Sequence, residues 1–151
     1  MRKKTESVNE TRVTFPSYSS NEAYSRAVAA AFCAQMNPTF DELSDIKCAV
    51  SEAVTNAIVH GYRERIGEVT LIMKMTSDRV VKIEVRDKGC GIADVEAAMQ
   101  PLYTTCPGDE RSGMGFTIIE NFMDSLRVVS AVGKGTRVIM SKKLSLLPRS
   151  K

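Results

Sequence analysis

Three polar residues in the stretch EAVTNAIVHG have the types and the spacing of a reactive site. Glu52, Asn56 and His60 follow one another at intervals of four residues, so in a helix each lies about one turn above the last on one side. A glutamate can accept a proton from an attacking hydroxyl, and an asparagine oxygen is a neutral ligand that suits Mg²⁺. From the helix alone, a solvated polar face is the simpler interpretation.

A second cluster, DKGCG, begins at Asp87 and directly follows a predicted strand. A carboxylate at a strand end can accept a hydrogen bond from an exocyclic amine such as that of adenine. Glycines such as Gly89 and Gly91 let the backbone approach a flat ring without a Cβ clash. Taken alone, however, this pattern is more typical of an ordinary turn.

Two further glycine clusters occur nearer the C-terminus. RSGMGF, over residues 111–116, lies at a predicted junction between a loop and a helix, where free backbone N–H groups favour phosphate. GKGT ends at Thr136, whose hydroxyl could reach the edge of a base. The alternatives are a glycine-rich helix start for the first cluster and a plain hairpin turn for the second.

The elements that must position these groups can be predicted from periodicity. Thr39 and Glu42 match a capping box, and apolar residues at helical spacing predict a long helix that ends at Gly61. An alanine-rich helix over Ala23–Met36 precedes it. We also predict a short helix over Ala93–Met99 and a third substantial helix over about Gly115–Met123. Strands are predicted over Thr11–Phe15, Glu68–Met75, Val80–Asp87, Ser125–Ala131 and Thr136–Lys143.

The order of these elements predicts the fold class. Helices grouped apart from mostly antiparallel strands indicate a two-layer α+β sandwich and not an alternating βαβ fold. The exposed edge of the first strand, Thr11–Phe15, could pair with a second subunit. Neither GxxxxGK[ST] nor a glycine motif after a first βαβ strand occurs, so a pocket of a different kind is expected.

Composition narrows the class of protein further. The 151 residues are 43% hydrophobic and 26% charged, as in an ordinary globular domain. The formal net charge of +3 is mild and argues against nucleic acid as a direct partner. The four cysteines form no CxxC pair and the single histidine cannot complete a metal site, so reduced thiols are expected. Without a signal peptide or an apolar run of about 18 residues, we expect a cytoplasmic protein with no membrane segment.

The sequence contains, in this order, EAVTNAIVHG, DKGCGI, SGMGF and GKGT, which resemble the N, G1, G2 and G3 boxes of the GHKL superfamily. That superfamily includes histidine kinases, Hsp90, MutL and gyrase-type ATPases. The longer stretches FDELSDIKCAVSEAVTNAIVHGY and QPLYTTCPGDERSGMGFTIIENFMD resemble the anti-sigma F factors of spore-forming bacteria, and the resemblance covers residues 11–143.

The resemblance implies a fold of the Bergerat (GHKL) ATP-binding type, an α+β two-layer sandwich with a mixed, mostly antiparallel sheet and helices on one face. We expect a single serine kinase domain over 1–151, with flexible ends at about 1–9 and 145–151 and an ATP lid at about 94–114. The family binds ATP with Mg²⁺ and sequesters a sigma factor as a homodimer. It also phosphorylates a serine on an anti-anti-sigma partner.

Carried over to this chain, the resemblance implies that Glu52 is the catalytic base and that Asn56 holds Mg²⁺. Asp87 would bind the adenine amine, and the remaining nucleotide contacts would come from Gly89, Gly91, Thr104, Thr105, Arg111, Gly113, Gly115 and Thr136. On the first helix, Arg26 and Glu22 would contact the sigma factor or the phosphorylation substrate.

Several alternatives stay open. Arg26 and Arg111 could be solvated surface arginines, and His60 could simply suit the C-terminal dipole of its helix. A catalytic domain of the histidine kinase type and a non-catalytic, ATP-dependent sigma-binding module are rival functions. An ATPase like Hsp90 fits less well, because no middle domain follows.

Overall fold

The fold has two layers, a five-stranded sheet and a group of helices packed on one of its faces. It is seen in a computed structural model, which describes residues 5–100 and 115–146. The strands follow the order β1-β2-β3-β5-β4, and every neighbouring pair is antiparallel. Their bounds are Ser7–Pro16 (β1), Glu68–Thr76 (β2), Val80–Asp87 (β3), Ser125–Ala131 (β4) and Gly135–Lys143 (β5). The α+β prediction is confirmed.

Alternation along the strands decides which face of the sheet is covered. In β3, Val81, Ile83 and Val85 are buried while Lys82 between them is exposed. Ile83 lies opposite Met73 of β2 on one side and opposite Met140 of β5 on the other, and all three are almost fully buried. Each such side chain contributes roughly 1.5–3 kcal/mol through the apolar surface removed from water. This row forms the centre of the core under the helices.

The helical layer is arranged around one central helix. Helix α2 packs against α1 on one side and against α4 on the other. The helices span Ser20–Ala34 (α1), Phe40–Thr55 (α2), Val95–Ala98 (α3) and Gly115–Phe122 (α4). Over Asn56–Gly61 the chain continues from α2 as a π-helical turn. None of the described helices is both long enough and apolar enough to cross a membrane.

Helix α2 is fixed at its start by the predicted capping box. The Thr39 hydroxyl accepts a hydrogen bond from the Glu42 backbone N–H at 3.1 Å, and the Glu42 carboxylate accepts one from the Thr39 N–H at 2.9 Å. These reciprocal bonds satisfy two backbone donors that the first turn leaves unpaired. A fixed start sets the rotation of α2, and with it the direction in which the polar side chains near its end point.

The predicted boundaries hold to within one residue for β2 to β5 and for α4, and four elements differ. Helix α3 is shorter than predicted and covers Val95–Ala98 instead of Ala93–Met99. Strand β1 begins at Ser7 and not at Thr11, because it pairs with β2 along nearly its whole length. Helix α1 covers Ser20–Ala34 instead of Ala23–Met36. The second helix does not stay α-helical to Gly61, because its last turn widens to a π-helix. Strand β1 occupies one edge of the sheet, as predicted.

Candidate functional site

The first part of the site is a buried carboxylate at the end of β3. Asp87 is only 9% exposed, and its Oδ1 accepts a hydrogen bond from the Gly89 backbone N–H at 2.9 Å. The backbone N–H of Thr136, at the start of β5, also donates to this carboxylate. Burial raises the pKa of Asp87, and these two backbone donors oppose that shift. Asp87 therefore keeps acceptor capacity in a site from which water is largely excluded.

Three glycines bring the surrounding backbone close to Asp87. A Cβ on Gly61 would lie 2.9 Å from both Cγ and Oδ1 of Asp87, and a Cβ on Gly89 would overlap the carbonyl oxygen of Gly61. Gly135 has φ +87, and a Cβ there would overlap the Asp87 carbonyl oxygen. We call Asp87 with Gly61, Gly89 and Gly135 the carboxylate cradle. Only glycine allows these three backbone segments to approach so closely.

The loop after β3 is held to the start of β5 by one serine hydroxyl. Ser130 on β4 accepts a hydrogen bond from the Ile92 backbone N–H at 2.7 Å and lies 2.7 Å from the Thr136 hydroxyl oxygen. Gly91, with φ +75, packs against the backbone of Ala131. Ser130 thus links the loop that carries Gly91 to Thr136, whose backbone N–H donates to Asp87. Ser130 was not predicted, because it carries no motif signal.

The second part of the site is formed by the end of α2 and the beginning of α4. A Cβ on Gly115 would lie 3.1 Å from both amide atoms of Asn56 and 3.4 Å from Oε2 of Glu52. The first residue of α4 therefore rests on both side chains, which are themselves half-buried. We call Glu52 and Asn56, together with Gly115, the polar helix face. The fold therefore places these three residues side by side.

The electrostatics of the polar helix face favour a proton acceptor. Burial raises the pKa of Glu52, and the nearby negative charge of Glu22 raises it further. A carboxylate with a raised pKa holds a transferred proton better than an exposed glutamate does. Asn56 beside it is neutral and offers an oxygen ligand without adding charge.

The π-helical turn connects the two parts of the site. It runs from Asn56 to Gly61, and the backbone N–H of Tyr62 bonds back to the carbonyl of Ala57 at 3.1 Å. The Gly61 carbonyl accepts a hydrogen bond from the Cys90 N–H at 2.8 Å, which ties the turn to the loop after β3. The one helical run thus carries Asn56 at its start and a wall of the carboxylate cradle at its end. Sequence periodicity gives no sign of the π-helix and predicts only that the helix ends at Gly61.

The remaining predicted residues divide into two sets. Thr104, Thr105, Arg111 and Gly113 lie outside the described residues. Arg26 and Glu22 lie on α1, away from the carboxylate cradle, and their side chains pair at 2.9 Å between Arg26 Nε and Glu22 Oε1. The Ser51 hydroxyl also donates to Glu22, so this pair contacts α2 directly next to Glu52. That contact was not foreseen from the sequence.

Comparison with known proteins supports the same architecture. A family model described as a histidine kinase-like ATPase domain matches residues 15–142. An anti-sigma F factor from Clostridium acetobutylicum is 50% identical over 139 residues, which is 92% of this chain and 96% of that protein. An anti-sigma F factor from Oceanobacillus iheyensis is 53% identical over 137 residues, 91% of this chain and 94% of that protein.

Two solved structures share the fold at lower identity. The RsbU and RsbW domains of Rv1364c from Mycobacterium tuberculosis superpose with a TM-score of 0.66 at 19% identity, covering 91% of this chain and 32% of that one. A histidine kinase domain from Erythrobacter litoralis EL346 superposes with a TM-score of 0.54 at 22% identity, covering 82% and 60%.

Proposed function

The chain belongs to the anti-sigma F factors, within the histidine kinase-like ATPase domains, and from that premise we propose that it is an ATP-dependent protein serine kinase that also inhibits a sigma factor. The substrate serine would lie on an anti-anti-sigma factor, and phosphorylation would inactivate that partner. The observation that carries the proposal is the pairing of the polar helix face with the carboxylate cradle on one helical run.

The carboxylate cradle fits the base of a nucleotide. Asp87 is buried at a strand end, and its carboxylate already accepts hydrogen bonds from two backbone N–H groups. A carboxylate has about four acceptor sites, so it can also accept a hydrogen bond from the exocyclic amine of adenine. The glycines let the surrounding backbone close around this carboxylate, which fixes its position as an acceptor. Guanine presents an oxygen where adenine presents this amine, so Asp87 would favour ATP over GTP.

The polar helix face fits the phosphates with a magnesium ion. Mg²⁺ commonly takes one or two protein oxygens and completes its shell with phosphate oxygens and water, and Asn56 offers one such oxygen. Within residues 5–100 and 115–146, no group of three or more His, Cys, Asp or Glu side chains could hold a metal. With one protein oxygen from Asn56, the ion would take further ligands from the nucleotide, and when bound it would neutralise phosphate charge.

The transfer itself asks little of the protein besides alignment and one proton acceptor. The serine oxygen forms a bond to the γ-phosphorus, and the bond from that phosphorus to its bridging oxygen breaks. ADP leaves with the bonding electrons, and Glu52 accepts the proton of the serine hydroxyl. The raised pKa of Glu52 suits this role, because its carboxylate is more basic than that of an exposed glutamate.

Labelled ATP tests the activity directly. The chain is incubated with MgATP labelled at the γ-phosphate and with the anti-anti-sigma factor of the same organism. We expect label on that partner that resists acid and is removed by alkali, as for phosphoserine. Label with the opposite stability would point to phosphohistidine. ATP binding with no transfer would favour the non-catalytic sigma-binding module and contradict the kinase proposal.

Sigma-factor binding needs a separate experiment. The chain, carrying a tag, is mixed with its organism's sigma F in the presence of ATP or ADP, and retained protein is measured together with the oligomeric state of the complex. We expect retention of the sigma factor by a homodimer of this chain, the state for which the exposed edge strand β1 is suited. No retention with either nucleotide would contradict the inhibitory role.

A further inference from the structure

A polar network links the surface of α1 to the residue next to Glu52. One oxygen of Glu22, Oε1, lies 2.9 Å from Arg26 Nε and also accepts the hydrogen bond of the Ser51 hydroxyl. Ser51 is the residue immediately before Glu52 on α2. The two donors come from different helices, so the Glu22 carboxylate joins α1 to the turn of α2 that carries Glu52.

The exposures of the two charged side chains show which way each one faces. The Arg26 side chain is 44% exposed, whereas that of Glu22 is 22% exposed. The guanidinium thus faces solvent, where a partner could contact it, and the carboxylate faces α2. An exposed ion pair one helical turn apart is worth only about 0.3–0.5 kcal/mol. The ion pair therefore adds little to the stability of α1, and the hydrogen bond between Glu22 and Ser51 needs a different explanation.

We propose that Glu22 is a positioning residue for phosphoryl transfer: its carboxylate, held by Arg26 and Ser51, fixes the turn that carries Glu52 and keeps a negative charge beside it. The inference rests on the proposed function, since it presumes that Glu52 accepts the proton. It extends that function by giving Glu22, the less exposed residue of the ion pair with Arg26, a role in phosphoryl transfer.

The groups that face Glu52 support this assignment. From α1 the charged groups are Glu22 and, behind it, Arg26. From α4, Gly115 lies beside Glu52 and has no ionisable side chain. Along α2, the residues one turn away are Cys48 on one side and the neutral Asn56 on the other. Among these described neighbours, Glu22 provides the like charge that raises the pKa of Glu52 in addition to burial. Removing that charge should make Glu52 a weaker base.

A titration of the free protein tests the charge effect without any need for activity. The side-chain carboxyl signal of Glu52 is followed by ¹³C NMR against pH and assigned by its absence in Glu52→Gln. In Glu22→Gln, which retains an oxygen for the Ser51 hydroxyl, we expect the midpoint to move to lower pH. In the matched control Asp41→Asn, an exposed acid in the first turn of α2, it should not move. An unchanged midpoint in Glu22→Gln overturns the inference.

Kinetics test the consequence for transfer. With MgATP and protein substrate both saturating, kcat should rise with pH as Glu52 deprotonates. In Glu22→Gln this rise should shift to lower pH, and the plateau should fall by roughly threefold because the base is weaker. The KM for MgATP should not change. A change in the KM for the protein substrate alone, with the kcat profile intact, would reduce Glu22 to a docking residue and overturn the inference.

Two variants of Ser51 test the positioning half of the proposal. Ser51→Ala leaves the Glu22 charge in place but removes its link to α2, so the kcat plateau should fall. Ser51→Thr keeps a hydroxyl and should restore it. Equal plateaus for the two variants would contradict positioning through Ser51. If wild-type protein transfers no phosphate at any pH, the proposed function fails, and the NMR titration still decides whether Glu22 acts on Glu52.

Discussion

The carboxylate cradle and the polar helix face are connected by the same helical run, yet the first consists mainly of backbone and the second of side chains. The cradle surrounds Asp87 with backbone, and its three glycines leave no space for a side chain. The polar helix face consists of half-buried side chains, Glu52 and Asn56, under the first residue of α4. The carboxylate cradle is defined by backbone segments that leave no space for side chains. The polar helix face is defined by the functional groups of its side chains.

Under the proposed function, this difference separates binding from chemistry within one site. A backbone cradle selects a ligand by shape and by one fixed acceptor, and it contributes no reactive group. In the proposed function, the polar helix face supplies the proton acceptor and the metal ligand, which matter chiefly in the transition state. Substitutions in the two regions should therefore give different patterns of loss, and the following predictions are ordered by the size of that loss.

The largest loss is expected for transfer in Glu52→Gln. Without a proton acceptor, the rate of phosphoserine formation should fall by about 10²–10⁴-fold, while the glutamine keeps nearly the same volume. Single-turnover transfer from labelled ATP measures the loss. Glu120→Gln, an exposed change on α4, is the matched control and should transfer at the wild-type rate. Transfer by Glu52→Gln within about threefold of wild type would contradict the base assignment.

The carboxylate cradle should be most sensitive at Gly89. A new Cβ in Gly89→Ala would overlap the Gly61 carbonyl, which cannot rotate away as a side chain could. We expect the free energy of unfolding to fall by roughly 1–3 kcal/mol, the usual cost of overpacking. Urea denaturation provides the measurement. Gly133→Ala isolates the cost of backbone strain, since Gly133 has φ +78 but nothing near its Cβ position, and its loss should be the smaller of the two. An equal loss at both sites would show that steric closure is not what Gly89 provides.

Asn56→Ala should weaken the binding of the magnesium–nucleotide complex by about tenfold, through loss of one charge-assisted ligand contact. Binding of ATP in the presence of EDTA should change far less, because Asn56 is proposed to act on the metal. Titrations of a fluorescent ATP analogue with and without Mg²⁺ make the comparison. The same loss with and without the ion would argue that Asn56 has no role as a metal ligand.

The smallest effect concerns stability and pH. Burial raises the pKa of Asp87 in the folded protein, so the folded state binds its proton more tightly than the unfolded state does. This contribution to stability is therefore present at low pH and is lost as pH rises through the folded pKa. Relative to Asp87→Asn, wild-type protein should become more stable as pH is lowered from about 7 to about 4. Parallel urea titrations without nucleotide check this, and a constant difference across that range would contradict it.

Strong local signals allowed much of the fold to be predicted. The alternation of Val80–Asp87 and the capping box at Thr39 are local features, and both elements begin where they were expected. Approaches between distant segments leave no such signal. Gly61 meets Asp87, and Ser130 meets Ile92, only after the sheet and the helices have packed together. The same holds for the link from Glu22 to Ser51.

The widening of the helix at Asn56 has a similar origin. Neither propensity nor periodicity distinguishes a π-helical turn from an α-helical one in NAIVHG. In the fold, this turn places the Gly61 carbonyl next to the Cys90 N–H. The resulting long-range hydrogen bond accompanies the changed hydrogen-bond pattern within the helix. Asn56, Asp87 and Gly115 could be named from sequence because they lie in recognisable motifs, whereas the backbone geometry that joins them could not.

The separation of binding from chemistry is tested most directly by calorimetric titration of MgATP into two variants side by side. Asp87→Asn should bind MgATP about 10- to 100-fold more weakly than wild type, because it loses a charged hydrogen-bond acceptor for the adenine amine. Glu52→Gln should bind it within about threefold of wild type, because its carboxylate acts only in transfer. Equal losses in the two variants, or full affinity in Asp87→Asn, would contradict this account.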